Sequence, residues 1–448
     1  MKKLLTVLSA AALLAGCADK QTCRTAHPEW TYNSVVYEMN VRQSTPEGTF
    51  AAAEERLPEL RDLGVDIVWL MPIHPIGEKG RKGSLGSYYA IRDYYAVNPE
   101  FGTMADFEHF LAAAHSLGLR VILDCVANHT SPDAAWVDEK PKDWYIRDSL
   151  GNTVVEYDWT DIAKLNYENA DLRKEMKRML RYWVDKGVDG FRCDMAMLVP
   201  TDFWSDAFAE IRAVNPELYL LAEGERPDLH TEAGFDASYT WELHHLMNDV
   251  AQGKKTAADI VDYVARDAEQ SPREAFRLMF TSNHDENSWA GTEFERMGDA
   301  AEVMAVLTYL LPNGQPLIYT GQEFGFNRRF AFFDKDCLDD RTPNGFTEFY
   351  RRMNALRHDN PALDAGEAGA PMRLLPHDDA ERLLAFVREN GDNSVVALLN
   401  LSPETVVAKP DFTGAEGEYT DFSTGERRTV SVGDEYEMKG WSYIILTR

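Results

Sequence analysis

Short apolar runs recur along most of the chain, and between them lie longer stretches in which apolar residues return every three to four positions. The runs are Ser34–Tyr37, Ile67–Met71, Arg120–Asp124, Val188–Cys193, Leu218–Ala222, Phe276–Phe280 and Pro316–Tyr319, with a weaker one at Phe235–Tyr239. Runs this short, with little polar alternation, read as strands of a parallel sheet buried on both faces. Between them, Thr103–Leu117 carries Phe107, Phe110, Leu111 and Ala114 at helical spacing, and Asp171–Lys186 carries Leu172, Met176, Met179, Leu180 and Trp183. A glycine follows each, Gly118 and Gly187, where a left-handed cap ends a helix. Close to eight such βα repeats predict an α/β fold, a (β/α)8 TIM barrel.

Two regions break the rhythm. Residues 131–166 are too long and irregular for a simple loop and are rich in Trp, Tyr and Asp, so they are expected to form a small inserted domain. After residue 361 the runs Arg382–Val387, Ser394–Leu399, Thr405–Val407 and Ser442–Leu446 alternate with Gly, Asp, Asn and Pro, which predicts a C-terminal antiparallel β domain over residues 362–448. The barrel then occupies residues 31–130 and 167–361.

The first residues have a different logic. Lys2 and Lys3 precede the apolar run from Leu4, which ends in Leu14-Ala15-Gly16-Cys17. A basic start, a short apolar core and small residues before a cut site make an export signal, too short to span a membrane. The ending resembles a bacterial lipoprotein box, with residues 1–16 as signal peptide, Cys17 as the acylated N-terminus and residues 17–30 as tether. The expectation is an exported chain anchored by lipid to a bacterial membrane, on its periplasmic or cell-surface face. Cys23, Cys125, Cys193 and Cys337 show neither disulfide nor metal spacing and are expected to be mostly free, buried thiols.

Composition narrows the partners. With 46 basic against 74 acidic residues the net charge is -28, which repels phosphate backbones and excludes nucleic acid as a partner. A neutral ligand is not disfavoured.

Polar residues gather at strand ends: Asp124-Cys125-Val126-Ala127-Asn128-His129, Gly190-Phe191-Arg192-Cys193-Asp194, Leu220-Leu221-Ala222-Glu223-Gly224-Glu225 and Asn283-His284-Asp285. One acidic residue after an apolar run is usually a helix cap. Four clusters in order, each at the end of a barrel strand where catalytic groups of such folds sit, call for another reading. Arg192 and Asp194 share parity on one strand and so point to the same side, where the guanidinium is expected to keep Asp194 ionised. Glu223 leaves an apolar strand, where burial would hold a proton on it; Glu225 shares its parity and is the rival.

These clusters resemble the four core motifs of glycoside hydrolase family 13, the α-amylase family. Val36-Tyr37-Glu38-Met39-Asn40-Val41-Arg42, Gly86-Ser87-Tyr88-Tyr89 with Asp93, and Leu165-Asn166 extend the resemblance over most of the chain. It implies retaining hydrolysis of α-glucosidic, mainly α-1,4, bonds in starch-like glucans and malto-oligosaccharides. It also implies Asp194 as nucleophile, Glu223 rather than Glu225 as acid/base, and Asp285 as the third carboxylate. Tyr89, His129, Arg192 and His284 are the implied substrate contacts, and Asp124 and Asn128 scaffold. Trp241 and Trp289 read equally as sugar platforms and as ordinary packing.

Many members carry a Lys-His pair after the nucleophile, which serves the leaving-group side and a structural calcium. Here the stretch is Met195-Ala196-Met197-Leu198, and Asn128 alone remains as a calcium ligand, so no cofactor or metal is expected to be required. The alternatives are a glucanotransferase or isomerase of the same family and a non-catalytic carbohydrate-binding surface protein, though the latter should lack part of the Asp194–Glu223–Asp285 set. A metal-dependent barrel hydrolase is set aside, because the two motif histidines lie on distant strands.

Overall fold

A computed structural model describes residues 27–448. The expected signal peptide, the expected acylation site Cys17, most of the expected tether, and Cys23 therefore lie outside the described residues.

Eight parallel strands close into a barrel in which each pairs with its neighbours in sequence and the last pairs with the first. They are β1 (Val36–Met39), β2 (Ile67–Leu70), β3 (Arg120–Cys125), β4 (Gly190–Cys193), β5 (Tyr219–Ala222), β6 (Ala237–Tyr239), β7 (Phe276–Met279) and β8 (Gly314–Tyr319). Alternate residues divide cleanly. Val36, Ile67, Trp69, Ile122, Tyr219, Leu221, Tyr239, Phe276 and Leu278 fill the interior. Val35, Tyr37, Val68, Leu70, Val121 and Leu220 face outward and pack into the helical layer. Both faces are buried, so no polar alternation marks these strands in sequence. The first is displaced from the expected Ser34–Tyr37, because pairing with β2 and β8 begins at Val36.

The helices Met104–Ser116 and Ala170–Lys186 bury the residues that define their apolar stripes. The first opens with a Thr103–Asp106 capping box, and the second ends on Gly187 at φ 99°. Between β3 and the second helix the chain makes a small excursion. His129–Thr130 pairs with Ala163–Lys164, and Tyr145 Oη lies 3.0 Å from Thr130 Oγ1. The excursion thereby stands at the C-terminal end of the barrel.

The C-terminal sheet has six antiparallel strands in the order Arg373–Leu374, Leu383–Asn390, Asn393–Asn400, Tyr443–Thr447, Gly417–Asp421 and Arg427–Val430. A separate pair joins Val406–Ala408 to Tyr436–Met438. Arg388 ties this sheet to the barrel: fully buried, it donates to the carbonyls of Leu310, Leu311 and Ala370. Cys125 and Cys193 are free and buried, whereas Cys337 is free but only half-buried, in the loop after β8. Among the described residues no helix is long and apolar enough to cross a membrane.

Candidate active site

Strand parity puts a polar layer at the top of the barrel. In the β3–β4 register Asp124 stands opposite Arg192, and β4 pairs with β5 so that Cys193 faces Ala222. The next positions, Asp194 and Glu223, therefore emerge side by side from adjacent strands. Asp194 N–H bonds to Cys125 O, and Glu223 N–H to Cys193 O, both at 3.0 Å, so the ladder continues one rung past the strands.

Arg192 is the hub. Its Nη1 donates to Asp124 Oδ1 at 3.0 Å and Asp194 Oδ1 at 3.1 Å, and its Nη2 lies 2.9 Å from Glu223 Oε2. Its Nε donates to Tyr239 Oη, and the guanidinium carbon lies 4.9 Å from the centre of the Trp69 ring. The two carboxylates on the paired strands thus occupy adjacent arms of one planar cation. Arg192 has no exposed surface. It was expected among the substrate contacts, but it lies beneath the floor and holds the carboxylates that form that floor.

The turn after Asp194 contributes one more bond. Met195 adopts φ 44°, a left-handed conformation that costs a side chain on the order of 1–2 kcal/mol. That conformation aims its N–H at Glu223 Oε2, 2.8 Å away. Glu225 turns elsewhere and accepts the Glu242 N–H at 3.1 Å, at the start of the helix Trp241–Ala251.

A cavity of about 410 Å³ opens above this layer. Asp194, Glu223, Asp285, Tyr89, His129 and His284 line it together. Tyr89 Oη donates to Asp124 at 3.1 Å and lies 2.9 Å from His284 Nε2, so its ring is fixed at the edge of the cavity. His284 Nδ1 pairs with Glu38, an inward residue of β1, and its Nε2 is 3.4 Å from Asp285. Trp289 lines the cavity, whereas Trp241 does not: it packs on Phe280 and Tyr239.

Electrostatics depart from the simple pairing of Arg192 with Asp194. Burial pushes Asp194 up to about 7, with Asp124 and Asp285 adding to it, and Arg192 only partly pulls it back. Burial pushes Glu223 to about 7 and Asp124 to about 6, again against Arg192. Burial and the neighbouring carboxylates thus outweigh the guanidinium that was expected to keep Asp194 ionised, because that cation is shared among three buried carboxyls. Burial alone would lower His284, but Asp285 and Glu38 override it and hold it at about 9. His129, buried without such partners, falls to about 4 and is neutral. One guanidinium and one imidazolium face five carboxyls, Glu38, Asp124, Asp194, Glu223 and Asp285, an imbalance that favours a proton shared within the cluster.

Asn128, the one calcium ligand expected from the sequence, and Asp161 nearby have partners within the protein. Asn128 Nδ2 contacts His129, its carbonyl accepts the Leu165 N–H, and Asp161 pairs with Lys82. Among the described residues no group of three or more His, Cys, Asp or Glu side chains is arranged to hold a metal ion.

Sequence reasoning missed Glu38, Lys82, Trp159, Asp161, Phe332 and Phe333. Usable signals existed for Lys82, in the glycines at 77, 80, 83 and 86 that punctuate its loop, for Trp159 and Asp161, in the Trp- and Asp-rich stretch 131–166, and for Glu38, in the Val36–Arg42 motif. The others sit in stretches whose partners only the fold reveals.

A family model described as "Alpha amylase, catalytic domain" matches residues 27–358. The chain is similar to the α-amylase MalA of Haloarcula japonica, 31% identical over 90% of this chain and 60% of the relative. It is also similar to the α-1,4-glucan:maltose-1-phosphate maltosyltransferase of Salinibacter ruber, 30% identical over 84% of this chain and 61% of the relative. The chain spans about three fifths of the length of these curated relatives. Among solved structures it resembles the noncanonic maltogenic α-amylase AmyB of Thermotoga neapolitana, with a TM-score of 0.84 and 29% identity over 93% of this chain and 98% of that one.

Proposed function

The chain belongs to the α-amylase family, and from that premise we propose that it is a retaining glycoside hydrolase that cleaves α-1,4 bonds in starch-like glucans and malto-oligosaccharides. The observation that carries this reading is the placement of Asp194 and Glu223 on two arms of the Arg192 guanidinium, facing one cavity. Retaining hydrolysis needs two carboxyls close together, one attacking and one protonating.

In the proposed reaction Asp194 attacks the anomeric carbon while Glu223 gives its proton to the glycosidic oxygen. The bond between them breaks, the shortened glucan leaves, and the sugar remains esterified to Asp194. Glu223, now ionised, takes a proton from water; the hydroxide equivalent attacks the same carbon and frees Asp194. The proton held by the cluster serves the first step. The Met195 N–H at Glu223 Oε2 leaves the other oxygen for the proton. Asp285 and the His284 imidazolium would hold sugar hydroxyls, Tyr89 would lie against the ring, and neutral His129 would bond a hydroxyl beside Tyr89. These groups supply the acid, base and nucleophile, so the reaction requires no cofactor.

The cavity's charge favours a neutral sugar donor. Asp158, Asp161, Asp194, Glu223 and Asp285 line it, and Lys82, its only lysine or arginine among the described residues, is paired with Asp161. A sugar phosphate would meet net repulsion there. The export signal ending at Cys17 supports an enzyme anchored by lipid to a bacterial membrane, on its periplasmic or cell-surface face.

The test follows products from maltoheptaose over time, resolving anomers. Early release of shorter oligosaccharides as α-anomers, abolished in Asp194→Asn, is the expected result. Products longer than the substrate would favour a transferase. An intact substrate would overturn the α-1,4 assignment.

A further inference from the structure

The loop between β2 and the helix Met104–Ser116 lines the cavity through Lys82 and Ser87. Residues 77–86 read Gly-Glu-Lys-Gly-Arg-Lys-Gly-Ser-Leu-Gly, and Gly80, Gly83 and Gly86 all take positive φ. A Cβ on Gly83 would come within 2.5 Å of Phe333 Cβ, and one on Gly80 within 2.9 Å of Thr160 O. The loop therefore lies flat against two separate segments, the excursion after β3 and the loop after β8.

Bonds hold it in both directions. Leu85 N–H donates to Phe333 O at 2.9 Å, and Ser84 donates from both N–H and Oγ to Asp334 Oδ1. On the other side Lys82 Nζ lies 3.3 Å from Asp161 Oδ1, and it stands 5.9 Å from the centre of the Phe333 ring. Phe333 packs on Phe332 and Trp289, and Phe332 stacks near Tyr89 at 6.4 Å. A continuous wall thus runs from Tyr89 through Phe332, Phe333 and Lys82 to Asp161.

The side of the wall decides its consequence. The sugar that bonds to Asp194 lies against Tyr89, and the leaving glucan departs on the Glu223 side. In an α-1,4 chain the sugar attacked at its anomeric carbon is the one nearer the non-reducing end. A wall beyond Tyr89 blocks extension in that direction. We infer that the cavity is blind toward the non-reducing end, and that the enzyme removes a short unit of fixed length from that end rather than cutting within a chain. Lys82 and Phe333 are the specificity-determining residues. This rests on the α-1,4 hydrolase reading above.

The experiment compares maltoheptaose with maltoheptaose whose non-reducing end carries a 4,6-O-ethylidene block, using the full chain and following loss of each parent by chromatography. The wild type should consume the free substrate, release one product length from the outset, and turn over the blocked one at least about a hundredfold more slowly. Lys82→Ala/Phe333→Ala should gain about tenfold or more on the blocked substrate. Equal consumption of both substrates by the wild type would overturn the blind end and leave the hydrolase reading intact. Consumption of neither would overturn both. Discrimination that persists unchanged in the double variant, with the free substrate still cleaved, would overturn the assignment to Lys82 and Phe333.

Discussion

Arg56 and Arg192 are both completely buried cations facing carboxylates, and they lie on opposite sides of the barrel wall. Arg56 sits in the layer between barrel and helices. Its Nη2 donates to Glu323 at 2.8 Å, Glu59 at 2.9 Å and outward-facing Tyr37 at 3.2 Å. Only Glu323 of these carboxylates is buried; Glu59 reaches solvent. Arg192 faces three carboxylates that are nearly or fully buried, with an imidazolium and a cavity alongside. One cation per buried carboxylate makes a brace. One cation for three leaves burial to push all three carboxyls up, and two of them, Asp194 and Glu223, line the cavity.

The sharpest way to break this contrast is to remove the carboxyls that face the cavity. Asp194→Asn or Glu223→Gln should lower kcat on maltoheptaose by about 10⁴-fold or more while the protein stays folded by circular dichroism. A loss below tenfold for either would remove that residue from the reaction.

Next come the two cations. Arg192→Lys keeps the charge but loses the planar fork, and kcat should drop about a hundredfold. Arg56→Met leaves Glu323 buried without its partner, so denaturant unfolding should show a loss of about 3–5 kcal/mol, with kcat per folded molecule unchanged. If Arg56→Met lost activity and kept its stability, brace and site would have to exchange labels.

Stability against pH sharpens the comparison further. Asp194 titrates higher in the folded chain than the usual carboxylate range. A group raised in this way adds stability in acid, and that stability is lost as pH climbs from the unfolded value of about 4 through about 7. Asp194→Asn cannot ionise, so its Tm should exceed the wild-type value by roughly 2–4 °C at pH 8, and the gap should close by pH 4. A gap independent of pH would mean that Asp194 is not the strained group. The smallest effect belongs to Glu225→Gln, whose side chain caps a helix away from the cavity. Its kcat should stay within about twofold of wild type.

The barrel was legible because strands buried on both faces write themselves as unbroken apolar runs, and the acidic residues that follow stand out against them. Asp194 and the Glu223/Glu225 pair stand out for that reason. The choice of Glu223 and the naming of Asp285, Tyr89, His129 and His284 come from the family motifs, and these five line one cavity with Asp194. The state of Asp194 was not legible. Arg192 is two residues away in sequence, but Asp124 and Asp285 come from distant strands, and burial is a property of the whole assembly. The role of Arg192 was misread for the same reason: nothing local says that it lies below the floor. In the C-terminal sheet, Gly417–Asp421 and Arg427–Val430 escaped notice because each buries only part of its residues. The loop at 77–86 shows its glycines in sequence, but not the two walls against which they fit.

Arg388 has a consequence for the order in which the molecule is made. The barrel closes only when β8 pairs with β1, so nearly all of its chain must be synthesised before the first strand finds its second neighbour. The helix Ala301–Leu310, between β7 and β8, ends in carbonyls that Arg388 satisfies from a strand still further along. A nascent chain halted before residue 388 would hold a barrel with polar groups open at its base. Closure of the barrel's base therefore waits on the C-terminal sheet, and the long-range pairings involved make that step slow and vulnerable to aggregation.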